Sequence, residues 1–240
     1  MPIDFLDGAD YVDFGTPAQL ANLSTFTTMA WLRLDDWGHG ANAFGWLFGN
    51  YNSAKEGGWQ LFVENSVFTQ ALWFNYWWDT TIPSWIADNV LSLATLTHVA
   101  LTYDNSSTAN NPAIYVNGVS KAVTRQTAPV GSIEDDSDCD YYLGNQVETK
   151  NRSIDGKLGD WRIYDTILSA SDIFDIYNMK SFRLHAPYPI FRIMGIGAAG
   201  LQEYDGASLG ATNYIIDDIE GVQGTPSGNP VGVADTWLAY

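Results

Sequence analysis

The amino-acid sequence predicts an all-β protein built as a sandwich of antiparallel strands, and three observations support this fold class. Most of the 240 residues fall into short segments rich in aromatic and β-branched residues, which favour strands. Gly, Asn, Asp and Pro separate these segments at intervals typical of sandwiches. Hydrophobic residues make up 46% of the chain and aromatic residues 14%, which is enough apolar surface for one sizeable core.

Ten segments in the first two thirds of the chain have the length and composition of strands. They are residues 9–14, 25–34, 44–50, 58–64, 70–78, 96–103, 113–117, 119–124, 140–145 and 158–164. Asn117-Gly118 separates two of these segments and predicts a tight hairpin, because a type I′ turn needs a positive φ at both central positions.

One short helix is predicted after the last of these strands. Ser169 precedes Asp172 by three residues, which is the spacing of a capping box. Ile173, Ile176 and Tyr177 follow at helical spacing and form one apolar stripe. Because so short a helix is marginal alone, we expect it to pack against a sheet.

The composition changes near residue 180. Residues 181–192 carry two prolines and predict an extended connector, and residues 225–230 predict a rigid turning stretch. Only residues 213–219 of this region have a strand pattern. We therefore divide the chain into a sandwich at residues 1–180 and an extended C-terminal arm at residues 181–240. The arm cannot bury a core by itself, so we expect it to supply a strand to its own or a neighbouring sandwich.

Charge and cysteine content exclude several classes of partner. The net charge is −17, with no cluster of Lys and Arg, which argues against nucleic-acid binding. The sequence contains no run of about 20 apolar residues, so we do not expect insertion into a bilayer. The first residues lack the basic and apolar pattern of a secretory signal, so we expect either prior processing or release by lysis. The single cysteine excludes an internal disulfide framework and a cysteine-based zinc site.

Four sequence blocks, in order, resemble the laminin-G-like type of concanavalin A-like jelly roll. The first block is DGADYV at residues 7–12, and the second begins with FT at residue 26 and ends with Trp31. The third block comprises THVALTYD and IYVNG within residues 97–118. The fourth block begins with DG at residue 155, continues through DWRIY and LS, and ends at Ile173. The resemblance covers residues 5–178, about three quarters of the chain. It implies two antiparallel sheets packed face to face, one of them concave.

The C-terminal arm carries a second resemblance. Residues 204–230 are similar to a D-x-SG…GT…G-x-P segment that in this family usually precedes the DG-x-DYV strand, whereas here it follows the domain. The combination of linker and tail resembles the laminin-G-like chains of tailed-phage structural proteins. This resemblance implies a capsid decoration or head-fibre subunit.

The sequence predicts that the protein is not an enzyme. A retaining glycosidase needs two carboxyl groups roughly 5–5.5 Å apart, and on a strand that requires carboxylates at alternate positions. The acidic run at residues 134–138 is the nearest match, but it lacks the completing Glu and has the composition of a loop. No nucleophile elbow or phosphate-binding loop is present in the sequence.

An aromatic run supplies the candidate carbohydrate-binding residues, Trp73, Tyr76, Trp77 and Trp85. In a strand, alternate side chains share a face. One face should therefore carry Trp73 and Trp77 and the other Phe74, Tyr76 and Trp78. One set can form the core, and the other can face a sugar, a neighbouring subunit or another sheet.

Four aspartates, Asp135, Asp136, Asp138 and Asp155, are candidate calcium ligands. Calcium prefers several hard oxygen ligands, and the first three form a dense acidic loop, while Asp155 borders a loop where some relatives place calcium. The alternative is a solvated acidic loop. No cofactor is required, with calcium as the one candidate ion.

The leading functional hypothesis from the sequence is a non-enzymatic protein of the virion surface. Its partners would be other copies of itself, a capsid protein, or surface glycans. The alternative is a secreted or appended carbohydrate-binding module acting outside the cell, and a glycosidase is the least favoured reading.

Overall fold

The computed structural model describes residues 3–6, 8–39, 43–146 and 151–178, together with the backbone of four short strands nearer the C-terminus. The first nine strands are β1 (Ile3–Phe5), β2 (Tyr11–Asp13), β3 (Thr25–Asp36), β4 (Phe44–Gly49), β5 (Trp59–Glu64), β6 (Ala71–Tyr76), β7 (Ser84–Ala87), β8 (Thr97–Asp104) and β9 (Ala113–Val116). The next four strands are β10 (Val119–Lys121), β11 (Thr124–Thr127), β12 (Tyr142–Leu143) and β13 (Asp155–Tyr164), which the helix α1 (Ala170–Tyr177) follows. The last four are β14 (Phe191–Ile196), β15 (Ile215–Asp217), β16 (Gln223–Ser227) and β17 (Val231–Gly232).

These strands form two antiparallel sheets packed face to face. Sheet A has the order β10–β9–β8–β3–β13, and β13 then pairs with both β1 and β14 on its other side. Sheet B has the order β16–β2–β12–β4–β5–β6–β7–β11. The predicted all-β sandwich is therefore confirmed. All ten predicted strand segments contain a strand, while β1, β7, β11, β14, β16 and β17 were not predicted, so the expectation of a single strand beyond residue 180 is wrong.

The local signals for the hairpin and the helix are also confirmed. Asn117 and Gly118 have φ values of +52° and +73°, and they connect β9 to β10. At the start of α1, the Ser169 hydroxyl accepts a hydrogen bond from the Asp172 N–H at 3.2 Å, and the Asp172 carboxylate accepts one from the Ser169 N–H at 3.0 Å. This is a complete capping box.

Helix α1 covers part of the outer face of sheet A. Ile173 and Ile176 are buried there against Met29 and Ala100. The burial of this apolar stripe supplies the tertiary contacts that a two-turn helix needs. No helix in the described part of the chain has the length and apolar character required to cross a membrane.

The core between the two sheets is dominated by aromatic side chains. Trp161 is 1% exposed, stacks on Phe48 with ring centroids 5.2 Å apart, and donates its indole N–H to the Thr28 hydroxyl at 3.0 Å. Because each buried aromatic ring removes about 150–250 Å² of surface from water, a few such residues account for much of the hydrophobic stabilisation.

The backbone of the C-terminal strands connects the two sheets within one chain. Strand β14 pairs with β13 of sheet A, β15 pairs with β14 and β16, and β16 pairs with β2 of sheet B. The predicted strand at residues 213–219 is observed as β15. The prediction of a turning stretch over residues 225–230 is wrong at its start, since residues 225–227 belong to β16. Within the described strands, Pro226 pairs on one side only, with Val12, as is usual for a proline in a sheet.

Candidate functional site

The outer face of sheet B carries a set of aromatic and amide side chains from its central strands. In β5 the side chains of Trp59 and Leu61 belong to the core, so Gln60 and Phe62 lie on the outer face. In β6, Phe74 and Tyr76 belong to the core, while Trp73 and Asn75 are half-buried on the outer face, with Trp77 following them. This confirms the alternation that was predicted for residues 73–78.

Three aromatic residues of the outer face lie directly opposite one another on neighbouring strands. Trp46 of β4 pairs with Phe62 of β5, and Phe62 pairs with Trp73 of β6. The Phe62 and Trp73 rings stack with centroids 5.5 Å apart and an interplanar angle of 21°. Phe44 packs on Phe62 at 5.0 Å. The result is a continuous aromatic row across three strands.

A polar row runs parallel to the aromatic row. Gln60 lies opposite Asn75, and Asn75 lies opposite Ser84 of β7. The Trp73 indole N–H donates to the Asn75 side-chain oxygen at 2.6 Å, which fixes the amide beside the aromatic row. The Asn75 NH₂ group is left as a donor for a ligand, because an amide carries two donor hydrogens.

A small pocket lies where the two rows meet, lined by Phe44, Trp46, Gln60, Phe62 and Arg152. Trp46 is 3% exposed, and its indole N–H has no hydrogen-bond partner among the described residues. A buried donor left unpaired costs about 1–3 kcal/mol, so an acceptor from a ligand would be favoured here. The Arg152 guanidinium lies over the Phe44 ring at 5.4 Å from its centroid.

Tyr51 and Trp77 extend this surface beyond the rows. Their rings lie 5.2 Å apart, and Tyr51 also packs edge-on against Trp46 at 6.5 Å. We call the whole surface the aromatic face. It comprises Phe44, Trp46, Tyr51, Gln60, Phe62, Trp73, Asn75, Trp77 and Arg152.

Two of the four predicted carbohydrate-binding residues lie on the aromatic face and two do not. Trp73 and Trp77 are on it, half-buried. The prediction is wrong for Tyr76 and Trp85, which are 1% and 0% exposed in the core. The Tyr76 hydroxyl accepts from the Asn105 amide at 3.2 Å, and burial raises the pKa of Tyr76. Trp85 stacks on Phe74 at 5.7 Å.

The loop after β5 supports one edge of the aromatic face. The Glu64 carboxylate accepts hydrogen bonds from the backbone N–H groups of Ser66, Val67 and Phe68, at 2.7, 2.6 and 2.9 Å, and from the Ser66 hydroxyl. Burial opposes ionisation of this carboxyl, but these hydrogen bonds outweigh it and lower the pKa of Glu64. Phe68, held by the loop, packs edge-on against Trp73 at 5.3 Å.

We expect Glu64→Gln to lower the free energy of unfolding at neutral pH by about 1–3 kcal/mol, since one amide oxygen cannot replace two carboxylate oxygens. Because the folded-state pKa is lowered, the stabilisation by Glu64 is complete above about pH 4.5, the unfolded-state value, and is lost as the pH falls through the lowered pKa. Urea unfolding from pH 2.5 to 7 should therefore show a shallower acid limb in the variant. Glu56→Gln, at an exposed residue, is the control. Equal acid limbs for wild type and Glu64→Gln would contradict this role.

The four predicted calcium ligands do not converge. Asp136 is 2% exposed, and its carboxylate accepts from the Asn22 N–H at 2.6 Å and the Asn50 amide at 3.1 Å. Asp135 accepts from the Asn22 amide at 2.8 Å. Asp138 lies 4.0 Å from the Lys55 ammonium, whereas Asp155 lies 3.8 Å from the His39 imidazole at the start of β13.

The acidic loop therefore has a structural role in the fold. Burial raises the pKa of Asp136, and its hydrogen bonds to Asn22 and Asn50 oppose that effect. Within the described residues, no three His, Cys, Asp or Glu side chains form a group that could hold a metal ion. Asp135, Asp136, Asp138 and Asp155 are therefore not brought together as one ligand group, and calcium binding by any of them stays a prediction.

Two facing antiparallel sheets, with an aromatic and amide-bearing outer surface, define a lectin-type β-sandwich. Residues 6–174 match the family model described as the Concanavalin A-like lectin/glucanases superfamily. The chain belongs to this superfamily. The laminin-G-like resemblance is thereby confirmed, while the resemblance to tailed-phage proteins stays a prediction.

Solved structures of two carbohydrate-associated proteins are similar to this chain. One is a putative carbohydrate-binding protein from Bacteroides ovatus ATCC 8483, with a TM-score of 0.67 and 19% identity over 98% of this chain. The chain spans 60% of the length of that protein. The other is the CBM40 module of the Ruminococcus gnavus IT-sialidase bound to α2,3-sialyllactose, with a TM-score of 0.55, 14% identity, and coverage of 73% of this chain and 96% of the module. No curated protein matches the sequence.

Proposed function

We propose that this chain is a carbohydrate-binding protein and that its aromatic face holds the sugar. The observation that carries the proposal is the aromatic row Trp46–Phe62–Trp73 beside the amides of Gln60 and Asn75. Ligand sites commonly combine a largely apolar surface with a few fixed polar groups. The aromatic face has both.

The chemistry of a sugar ring matches the two rows. The C–H groups on one side of a pyranose pack on aromatic rings, and Trp73 and Trp77 are half-buried and so present part of their rings to such a partner. Ring hydroxyls both donate and accept hydrogen bonds, as the Gln60 and Asn75 amides do. A hydroxyl oxygen would also satisfy the buried Trp46 N–H.

The similar structures favour this function over the virion role. Both proteins are named for carbohydrate binding or belong to a carbohydrate-binding module, and neither name refers to a capsid. We therefore prefer the carbohydrate-binding alternative and infer that the protein acts outside the cell or on its surface. The virion role stays a prediction without support.

The aromatic face favours binding over hydrolysis. Glu64 is the carboxylate at its edge, and both of its oxygens accept hydrogen bonds from its own loop. A carboxyl group engaged in this way is poorly placed to act as a general acid or as a nucleophile toward a glycosidic bond. We propose that the protein binds saccharides without cleaving them.

Substitution of Trp73 tests the proposed function. After a glycan array has identified a bound saccharide, we expect Trp73→Ala to weaken its affinity at least about tenfold in calorimetric titration, which corresponds to about 1.4 kcal/mol. Trp73→Phe keeps a ring but loses the N–H to Asn75, so it should give an intermediate affinity.

Trp31→Ala is the matched control. Trp31 is also half-buried, but it lies on the outer face of sheet A, where it stacks on Tyr177 at 5.7 Å. We expect this variant to keep the wild-type affinity. The proposal fails if the array and the titrations detect no saccharide binding, or if Trp31→Ala and Trp73→Ala weaken binding equally.

A further inference from the structure

A second concave surface lies at the open edge of the sandwich. It is a groove of about 570 Å³ between the β9–β10 hairpin of sheet A and strand β11 of sheet B. Its lining residues are Asn111, Pro112, Ala113, Ser120, Lys121, Val123 and Arg125. The volume lies within the range of about 300–1,000 Å³ that is usual for ligand sites.

The groove gathers positive charge on a strongly acidic protein. Seven Lys and Arg residues belong to the described residues. Four of them lie within ion-pair distance of an Asp, namely Arg33, Lys55, Lys157 and Arg162. The other three form no ion pair within that part of the chain: Lys121 and Arg125 line the groove, and Arg152 lies on the aromatic face. Although a net charge of −17 means that the chain has many carboxylates, two of its three unpaired cations among the described residues lie in this one groove.

The strand register explains why both cations point into the groove. Lys121 lies opposite Ile114, and Arg125 lies opposite Trp85. Ile114 and Trp85 are core residues, and directly opposite residues share a face of the sheet. The Lys121 side chain therefore extends from the edge of sheet A toward sheet B, and the Arg125 side chain extends from the edge of sheet B toward sheet A. Both enter the gap between the sheets.

Neutral polar groups complete the lining. Asn111 is held by the Trp85 indole N–H, which donates to its side-chain oxygen at 2.9 Å, so the Asn111 NH₂ is left as a donor. Ser120 contributes a hydroxyl. The Arg125 guanidinium donates to the Thr108 carbonyl at 3.4 Å, which uses one of its five N–H groups.

We propose that this groove binds the carboxylate of an acidic saccharide, that is, a uronic or sialic acid unit. The anion is inferred from the guanidinium and ammonium groups, which form short, strong hydrogen bonds to carboxylates. The saccharide is inferred from the hydroxyl and amide groups beside them, and this part rests on the proposed function. A positive groove on an acidic surface also draws anions toward it selectively.

Inward-pointing charges on edge strands also serve to prevent edge-to-edge association. That role and the proposed one differ in what they require of Lys121 and Arg125. Edge protection requires only that the side chains be charged, and its loss appears as aggregation. Recognition of a carboxylate requires that binding depend on the charge of the ligand.

The test compares acids with their own neutral esters on the full chain. Calorimetric titrations use trigalacturonic acid and sialyllactose, each alongside its methyl ester, so that the members of a pair differ in the charge of the carboxyl group. We expect at least one acid to bind about tenfold or more tightly than its ester, and the pair that does so identifies the sugar class. Lys121→Gln/Arg125→Gln should reduce this preference to within about twofold. Arg33→Gln/Lys55→Gln, which changes the net charge by the same amount away from the groove, should keep it.

Two outcomes would overturn the groove assignment. One is equal binding of acid and ester in both pairs, and the other is an acid preference that survives in Lys121→Gln/Arg125→Gln. Neither outcome affects the proposed function, which depends on saccharide binding that Trp73→Ala weakens. Conversely, charge-dependent binding that Trp73→Ala leaves intact would support the groove as a site separate from the aromatic face. Size-exclusion chromatography of the double variant reports aggregation, so edge protection is measured separately.

Discussion

Replacing Trp59 with alanine is expected to lower the free energy of unfolding by about 3–5 kcal/mol, as for other large-to-small substitutions of buried aromatic residues. Trp59 is 1% exposed and stacks on Phe26, with ring centroids 4.9 Å apart. Its indole N–H donates to the Tyr141 hydroxyl at 3.3 Å, and that hydroxyl donates to the Leu20 carbonyl at 3.0 Å. Because a domain is typically stable by only about 5–15 kcal/mol, this variant should unfold at a much lower urea concentration.

Trp73→Ala is the matched control for Trp59→Ala. The two tryptophans lie on adjacent strands and undergo the same chemical change, but Trp73 is half-buried on the outer face. We expect its removal to cost about 1 kcal/mol of stability, while it abolishes most of the sugar affinity. Urea unfolding followed by tryptophan fluorescence and circular dichroism measures both variants. Equal losses of stability would mean that the assignment of the core and outer faces of β5 and β6 is wrong.

Gly49→Ala should have a comparable effect for a different reason. Gly49 ends β4 with a φ of +146°, a conformation that L-residues rarely adopt. A Cβ atom there would lie 2.2 Å from the Trp59 carbonyl oxygen, which is backbone and cannot rotate away. That carbonyl accepts from the Asn50 and Tyr51 N–H groups, both at 2.9 Å. Strain of about 1–3 kcal/mol and overpacking of about 1–3 kcal/mol together predict a loss of about 2–6 kcal/mol.

Gly15→Ala separates the two contributions. Gly15 also has a positive φ, +64°, but a Cβ atom there would meet no other atom within 4 Å. We expect this variant to lose only about 1–2 kcal/mol, which is the conformational term alone. Thermal and urea unfolding of the two alanine variants gives the comparison. If Gly15→Ala is as destabilised as Gly49→Ala, the close approach of β4 to β5 is not the cause.

The elements that the sequence predicts best are those that short-range chemistry determines. The Asn117-Gly118 turn depends on two residues that tolerate positive φ, and the start of α1 depends on a reciprocal bond between Ser169 and Asp172. Alternation along one strand likewise assigns Trp73 and Trp77 to a single face. In each case the interacting residues are close neighbours in the sequence, so the pattern is complete within a few positions.

The functional surface could be predicted only in part, because a sequence does not show which strands are neighbours. Alternation puts Tyr76 and Trp73 on opposite faces but does not say which face is the core. Trp46 and Phe62 join Trp73 only through the pairing of β4, β5 and β6.

The structural role of the acidic loop could not be predicted for the same reason. The partners of Asp136 are Asn22 and the buried Asn50, which are distant in the sequence and have no signal that links them to the loop. Composition indicates that a run of aspartates is polar, but it cannot show that one of them is buried by a distant amide.

The pairing of β3 determines the order in which the protein can assemble. Strand β3 lies between β8 and β13 in sheet A, so neither of its neighbours is adjacent to it in the sequence, whereas β4 to β7 pair consecutively in sheet B. Contacts between distant segments must overcome a larger loss of chain entropy before they form, which slows folding. On the ribosome, the β4–β7 meander can therefore pair as soon as it emerges. Sheet A is completed only when β13 emerges, so the aromatic strands lack part of their opposing layer until most of the chain has been synthesised.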